Sequence, residues 1–542
     1  MPGRRLLRAA CGHPRLAVLA AALIAVVPLA DLALGPPLRR WTEQAINANL
    51  KGYHVRLARF RPRLGRLGFA LGGLTVTQDL HPDPPVADVQ SVEFRLLFRE
   101  LLRFRLAGNL ALEGPALHIN LVQLQEEARS KVRFQDRGWQ EAVETIIPVS
   151  KLDRVEVRDG TLLYRSADSE DKPLRLTRIA MLARNVHNLA VAKGVYPSPV
   201  SLEGALFDTG RVSFFGAADF LREPYAGVEG RLQLEQVPLD RLGPLFRNYQ
   251  LQTRGGLLSL DGLIEANPDG TRARLANLQL DGLELDYLTS PATRAAEAEH
   301  GRQALALARS VRQAPRLNLQ ADRVRLAGCR LGFVNEGAKP PYRLFLSGVD
   351  LDLERLSNQA GQPRSRFQAR GLFMGSAPTS LSGGFQAAAD PPDFDLRLQM
   401  QGARLVDIND FLRASAGIDV AAGELSVYTE LAVKQGRVQG YVKPMVKDLK
   451  VSDRRKDQGK PLGKRVELHL LQALAGLFKN RSSQEVATVA RVSGPAGQPK
   501  VDTWEAIRRL FGNGLVHAVP PGFGPDRPAP KGPVPAEKPT TH

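Results

Sequence analysis

The sequence has few of the residues on which most catalytic and metal sites depend. It contains two cysteines in 542 residues, Cys11 and Cys329, which excludes a disulfide framework. None of its nine histidines has the spacing of a zinc site or a metalloprotease motif. A phosphate-binding glycine loop and a nucleophile elbow are also missing. The sequence therefore predicts a protein that is not an enzyme and that uses no cofactor or metal ion.

Aromatic residues are scarce as well, at 6% of the chain, whereas the formal net charge is +18. Such a positive charge suits an anionic partner, either nucleic acid or phospholipid head groups. Modules that bind nucleic acid by stacking need Phe, Tyr or Trp platforms, which this composition disfavours. We therefore expect no nucleic-acid partner, and phospholipid is the favoured anionic partner.

Long apolar runs are absent except at the N-terminus. Residues 1–15 carry Arg4, Arg5, Arg8 and Arg15 without an acidic residue, and residues 16–34 contain one charge, Asp31. This pattern predicts a single-pass signal-anchor over 16–35, with 1–15 in the cytoplasm and the remainder exported. A cleaved signal peptide is the alternative, with Ala33-Leu34-Gly35 as its best cleavage site.

The residues after the apolar run are expected at the membrane interface. Arg39, Arg40 and Trp41 follow it directly, and basic and aromatic side chains are typical of that layer. Together with the four N-terminal arginines they form the predicted membrane-interface set. Two cysteines on opposite sides of a membrane could not pair.

Most of the exported part alternates apolar and polar residues. "LALEGPALHINL" (110–121) predicts a strand, a tight turn at Gly-Pro and a second strand. The same pattern recurs at 152–166, where Asp159-Gly160 is the turn signal, and at 257–266 and 317–334. The predicted fold class is mainly β, a long repetitive antiparallel-rich sheet with a few short helices.

Two short helices are predicted, an amphipathic one that contains Ala45, Ile46 and Leu50 and ends at Gly52, and one at 135–147. Three further helical segments and one disordered segment are predicted later in the chain. The helical segments are about 291–314, 466–480 and 501–515. Residues 520–542 contain many prolines and are expected to be a disordered tail.

The apolar faces of the predicted strands are the candidate binding surface. The candidate lining residues are Leu110, Leu112, Leu117, Ile119, Leu121, Val155, Val157, Leu162 and Tyr164. Periodicity gives the same pattern for a packed core and for an open groove, and from the residues alone we favour a core.

Beyond these patterns, the chain resembles the AsmA-like superfamily of bacterial envelope proteins, which includes TamB-like members, and within it an uncharacterised branch. The resemblance covers most of the chain. It is carried by the basic and apolar N-terminus and by the segments "YHVRLARFRPRLGRLGFALGGLTVTQ" (53–78), "VADVQSVEFRLLFRELLRFRLAGNLALEGPALHINL" (86–121), "LDRVEVRDGTLLYR" (152–165), "GELSVYTELAVKQGRVQGYVKPMVKDLKVSD" (423–453) and "VATVARVSGPAGQPKVDTWEAIRRLFGNGLVHAV" (486–519).

The resemblance implies a bacterial inner-membrane protein whose residues 36–519 form a curled periplasmic β-sheet with an apolar groove. It implies phospholipid binding or conduction that supports outer-membrane lipid homeostasis, and it favours the groove over the core. It brings no catalytic residues. An outer-membrane or periplasmic protein is a further expected partner. The alternative is a scaffold or assembly factor that binds outer-membrane proteins along its sheet edge; a periplasmic enzyme with an unrecognised site is the third hypothesis.

Overall fold

A computed structural model describes residues 34–63, 67–120, 123, 137–138, 141–142, 147, 151–165, 174–187, 192, 194–222, 226–242, 251–289, 317–359, 361–386, 393–451, 485–487 and 490–495. Outside these ranges lie the predicted anchor up to residue 33, Leu121, the three later predicted helices and the proline-rich tail. Within them, no helix combines the length and the apolar character needed to span a membrane.

The described chain is mainly β, as predicted. Its strands are β1 (Tyr53–Arg63), β2 (Gly68–Gln78), β3 (Ala87–Leu96), β4 (Ala107–Asn120), β5 (Lys151–Arg165), β6 (Leu174–His187), β7 (Ser198–Leu206), β8 (Gly210–Asp219), β9 (Gly227–Pro238), β10 (Leu251–Asn267), β11 (Gly270–Thr289), β12 (Leu317–Asn335), β13 (Tyr342–Ser357), β14 (Ser365–Phe373), β15 (Ala377–Gln386), β16 (Asp393–Arg404), β17 (Val420–Lys434), β18 (Arg437–Val451), β19 (Glu485–Ala487) and β20 (Ala490–Pro495).

Helices are few and short in the described residues. Residues 34–49 are helical (α1), and α2 (Phe98–Leu101) and α3 (Asn409–Ala416) follow later in the chain. Two single 3₁₀ turns are also present, η1 (Leu239–Leu242) and η2 (Leu405–Ile408).

The strands belong to two compact units. The first unit contains the described residues up to 242, together with 255–279 and 317–319. The second contains 251–254, 280–289 and the described residues from 320 onward.

In the first unit the strands pair in chain order from β1 to β10. The pairings are antiparallel except β4 with β5, which are parallel. In the second unit β12 to β18 also pair in chain order and antiparallel, and β18 additionally pairs with β19 and β20. The described strands of each unit form an open sheet, so the curl that we expected is not confirmed.

Helix α1 covers the free edge of β1. The Asn47 side chain donates to the carbonyl of Val55 at 2.9 Å and accepts from its N–H at 2.8 Å. One turn earlier, Glu43 accepts from the N–H of Leu57, and Arg39 donates to the Leu57 carbonyl at 3.1 Å. These side chains lie four residues apart on one helix face and occupy backbone groups that an added strand would otherwise use.

The predicted strand-turn-strand units at 110–121, 152–166, 257–266 and 317–334 are wrong. Each lies within one continuous strand (β4, β5, β10 and β12) that passes through the predicted turn without reversing direction. Gly114 has φ +57° and Asp159 has φ +50°. A single residue in this left-handed region makes a local irregularity in the strand rather than a hairpin, because the chain continues pairing with the same neighbour on both sides.

In the first unit, the left-handed positions of different strands lie on one line that crosses the sheet, which we call the column of bulges. Gly73 faces Ala58, and Gly114 faces Gln90, so closely that a Cβ on either glycine would stand 2.8 or 2.5 Å from the facing side chain. On both sides of the column the apolar residues stay on the same face, because Val55, Leu57, Leu71 and Val92 share one core cluster. The shift in alternation therefore keeps a continuous apolar face on a long strand.

In the second unit and in β9, a neighbouring strand stabilises the bulges. The N–H of Gly328, at φ +60°, donates to Asp350 Oδ1 at 2.9 Å. The N–H of Gly402, at φ +64°, donates to Ser426 Oγ at 3.1 Å. In β9 of the first unit, Gln236 donates in the same way to Ser259 Oγ at 3.1 Å. The side chains satisfy N–H groups that the interrupted ladder would leave unpaired.

Candidate functional site

The predicted lining residues of the first unit lie in apolar rows that cross the strands. Paired positions from β1 to β9 place nine apolar side chains in one row: Phe60, Leu71, Val92, Leu112, Val157, Met181, Leu202, Phe214 and Leu232. A second row contains Phe69, Phe94, Leu110, Val155, Ala183 and Val200. Beyond the column of bulges, a third row contains Val55, Val76, Ala87, Leu117, Leu162, Leu176 and Leu206.

Burial along these rows is uneven. Leu110 and Leu112 pack against the cluster that includes Ile46 of α1, so part of the face is core. Val155 packs against a smaller cluster around Ala183 and Phe214.

The other predicted lining residues are less covered. Val157, Leu162, Ile119 and Tyr164 are half-buried, and Leu117 is 49% exposed. The face is thus partly packed and partly accessible, and its use as a groove stays a prediction.

The described members of the predicted membrane-interface set are Arg39, Arg40 and Trp41. Arg39 forms an ion pair with Glu43 at 3.0 Å and bonds the edge of β1. Arg40 and Trp41 are exposed. Arg4, Arg5, Arg8 and Arg15 lie outside the described residues.

An apolar cavity lies in the second unit. It is an open-sided cavity of about 520 Å³, within the 300–1,000 Å³ that is typical of ligand pockets. We call it the apolar pocket. It is lined by Leu331, Gly332, Phe333, Leu344, Phe345, Leu346, Phe373, Thr379, Leu398, Met400, Leu405, Ile408, Phe411, Leu412, Leu425, Val427, Val442 and Pro444.

One wall of the apolar pocket is formed by the strands. Met400 pairs with Thr379 on one side and Val427 on the other, and Val427 pairs with Pro444. The apolar alternation of β15 to β18 thus supplies a continuous wall of side chains.

The opposite wall is formed by η2 and α3. Leu405, Ile408, Phe411 and Leu412 are buried there, and their spacing places them on one helical face. The Phe411 ring meets the Tyr342 ring edge to face at 5.3 Å. Gly417, at φ +69°, ends the helix, and its N–H donates to the Arg413 carbonyl.

The position of α3 is fixed by Asn409. Its side-chain amide donates to the Val420 carbonyl at 2.8 Å, and its oxygen accepts from the Val420 N–H at 2.9 Å. Arg413 adds ion pairs to Asp410 and Asp419, both at 3.2 Å. This repeats the arrangement of Asn47 and Val55 in the first unit.

Chemically, the apolar pocket suits only an apolar ligand. Of the described residues that line it, none is charged, and Thr379 alone has a hydrogen-bonding side chain. The Thr379 hydroxyl already donates to the Ala377 carbonyl at 3.1 Å. A polar or ionic ligand would lose its hydrogen bonds to water there without gaining partners, whereas a hydrocarbon chain has no such hydrogen bonds to lose.

None of the residues that line this pocket is among the predicted lining residues. Its lining comes from β12 to β18 and α3, which are far apart in the chain. A local signal does exist, because Leu405, Ile408, Phe411 and Leu412 have helical spacing between two segments of strand-like alternation.

The other face of the first unit carries paired charges beside a smaller cavity of about 280 Å³. Arg63 pairs with Glu93 at 2.8 Å. Glu156 pairs with Arg154 at 3.0 Å and with Arg158 at 2.8 Å, and the hydrogen bond from Arg158 lowers the pKa of the Glu156 carboxyl. Each carboxylate is neutralised by an arginine, which is typical of a structural ion-pair network.

A second polar cluster lies in the other unit. Asp286 is buried and forms ion pairs with Arg343 at 2.9 Å and Arg254 at 3.8 Å. Arg343 and Arg330 both stack on the Phe345 ring, at 5.4 and 5.6 Å from its centre. In the described part of the chain, three or more potential metal ligands do not come together anywhere.

Comparison with known proteins adds no family. No protein-family profile matches the chain, and no curated protein matches its sequence. Function is therefore inferred from the apolar pocket and the apolar rows.

Proposed function

We propose that this protein binds acyl chains of phospholipid in the apolar pocket. On this proposal it is an AsmA-like protein of the bacterial envelope, anchored in the inner membrane by residues 16–35, with its sheet in the periplasm. It would carry or buffer phospholipid in support of outer-membrane lipid homeostasis. The apolar rows of the first unit would offer a second surface for acyl chains.

The uncharged lining of the apolar pocket is the observation that carries this proposal. Each methylene transferred from water into such a site contributes about 0.8 kcal/mol. Ten methylenes would contribute roughly 8 kcal/mol, which corresponds to micromolar binding before the cost of immobilising the chain. The open side would leave a charged head group in water.

The alternative function, a scaffold that adds outer-membrane strands to its sheet edge, has less support. At β1, the edge groups of Val55 and Leu57 are already bonded by Asn47, Glu43 and Arg39. A strand added at this position would have to displace α1 first.

Photo-crosslinking tests the proposal. The full chain in detergent is incubated with phosphatidylglycerol that carries a diazirine on one acyl chain, irradiated and digested. Mass spectrometry of the peptides is expected to locate the label on the pocket walls, near Met400, Phe411 and Val427.

Two tryptophan variants provide the comparison. Val427→Trp fills the apolar pocket and is expected to abolish this labelling. Gln368→Trp adds the same ring on the exposed side of β14 and should leave the labelling unchanged. Labelling spread evenly over the chain, or equal labelling of native protein and Val427→Trp, would contradict acyl binding in the pocket.

A further inference from the structure

The connection between β3 and β4 displays apolar side chains to solvent. Phe98, Leu102 and Phe104 are 59%, 67% and 99% exposed, and Leu101 and Leu106 are 39% and 47% exposed. We call residues 97–106 the apolar loop. Soluble proteins rarely expose so many large apolar side chains together without a partner.

The apolar loop has a defined backbone. The Leu97 N–H donates to the Ala107 carbonyl at 2.9 Å and closes its base. Inside it, Phe104 donates to Leu101 at 3.0 Å and Arg105 to Glu100 at 2.9 Å. Phe104 has φ +56°, which is rare for an aromatic residue, and in this conformation its ring is almost fully exposed.

Its charge indicates the chemistry of the partner. Arg95, Arg99, Arg103 and Arg105 are all exposed in and beside the apolar loop. Glu100 is the only acidic residue between Arg95 and Leu106, and it pairs with Arg103 at 3.4 Å. Apolar side chains that alternate with arginines are typical of segments that lie in the interface of an anionic bilayer.

Its position indicates which bilayer. The Leu96 N–H donates to the Leu67 carbonyl, so the apolar loop leaves the sheet at the end where β1 turns into β2. Helix α1 begins at that same end, since a Cβ on Gly35 would lie 2.9 Å from the Phe60 carbonyl. The predicted anchor of residues 16–35 ends there.

We propose that the apolar loop inserts into the surface of the anionic bilayer that holds the predicted anchor. Phe98, Leu102 and Phe104 enter the boundary between head groups and acyl chains, and the arginines bind lipid phosphates. The protein thus has a second contact with the bilayer beside the anchor, at the end of the sheet where β1 turns into β2. This contact is separate from the apolar pocket and does not depend on acyl binding there.

Fluorescence quenching by lipids tests the proposal in the full chain. Phe104→Cys, in a background with Cys11→Ser, is labelled with the environment-sensitive dye NBD. Cys329 is buried, so the introduced cysteine is the one expected to react, and the variant without it serves as the labelling blank. The protein is mixed with vesicles of phosphatidylcholine and phosphatidylglycerol that contain a doxyl spin label in the acyl chains. Strong quenching at position 104 is expected.

Two comparisons give the test its specificity. Leu263→Cys, at an exposed site on β10, is labelled in the same way and should remain unquenched. Changing Arg99, Arg103 and Arg105 to Gln should weaken binding to the anionic vesicles by about fivefold for each arginine lost. Omitting phosphatidylglycerol should also weaken binding, because the arginines then have no anionic lipid to bind.

Equal quenching at positions 104 and 263, or none at 104, overturns the proposal, even if the chain is bound to the vesicles through its anchor. Energy transfer between labelled copies in lipid-free buffer would show that the apolar loop contacts a second copy instead, and would also overturn it. Failure of acyl crosslinking in the apolar pocket would leave the quenching result unaffected.

Discussion

The attachment of α3 over the apolar pocket gives a prediction whose size follows from two hydrogen bonds. Asn409→Ala removes both bonds between its side chain and the backbone of Val420. At about 1 kcal/mol for each bond, the second unit should lose about 2 kcal/mol of stability. For a unit of this size the midpoint of thermal unfolding should fall by about 4–8 °C.

The same substitution should weaken acyl-chain binding, because Phe411 and Leu412 of α3 form one wall of the apolar pocket. If the full loss of about 2 kcal/mol in stability is also lost from the free energy of ligand binding, the dissociation constant for a fluorescent fatty acid should rise by up to about thirtyfold. Binding is measured by titration of the full chain below its unfolding temperature.

The matched control is Asn47→Ala in the first unit. Asn47 makes the same pair of bonds to Val55, at 2.9 and 2.8 Å, far from the apolar pocket in sequence and in a different unit. It should lower stability by a similar amount without changing fatty-acid affinity. Equal loss of affinity in both variants, or unchanged stability in Asn409→Ala, would refute the reasoning.

Three further predictions concern single features. Gly402→Ala should destabilise the chain by roughly 1–2 kcal/mol through backbone strain alone, since a Cβ there meets no atom within 4 Å. Ser426→Ala should destabilise it by about 1 kcal/mol, because the hydrogen bond from the Gly402 N–H is lost. Urea unfolding measures both losses of stability. The Arg231 hydrogen bond lowers the pKa of the Asp261 carboxyl, so the stability that it contributes is present at neutral pH and is lost in acid, as the pH falls through the lowered pKa. Arg231→Gln should be less stable than the native chain at pH 7, and this difference should shrink steadily as the carboxyl is protonated. Burial raises the pKa of the Cys329 thiol, so a thiol reagent should modify it only after unfolding, and rapid labelling of the folded chain would contradict its position.

The β class and the apolar faces could be predicted from the sequence because alternation is a local signal. Leu110 and Leu112 are paired with Val155 and Val157 in the sheet, and all four were predicted to lie on one apolar surface. The order of the strands in the sheet and the parallel pairing of β4 with β5 could not be predicted, because both depend on contacts between residues that are distant in sequence.

The turn signals were misinterpreted for a definite reason. Glycine at 114 and aspartate-glycine at 159–160 permit a left-handed residue, which both a hairpin and a strand bulge require. Residue type alone does not separate the two. The neighbouring strand decides, because pairing with the same partner on both sides of the bulge keeps the chain extended.

The apolar pocket could not be located from local patterns. Its walls join Phe333, Met400 and Val427 from three strands to Phe411 of α3, and alternation in each strand indicates only that one face is apolar. The hydrogen bonds from Asn47 to Val55 and from Asn409 to Val420 could not be predicted from local sequence patterns either, because the partners are eight and eleven residues apart.

Phospholipid bound to the native chain is the most direct test of the central claim. The full chain is purified in parallel with Val427→Trp and Gln368→Trp, and lipids are extracted from each and quantified by mass spectrometry. Because all three carry the same N-terminus, lipid held around the predicted anchor cancels in the comparison. The account predicts about one phospholipid fewer per chain in Val427→Trp than in the native protein and Gln368→Trp. Equal lipid content in all three, with each variant folded, would contradict binding in the apolar pocket.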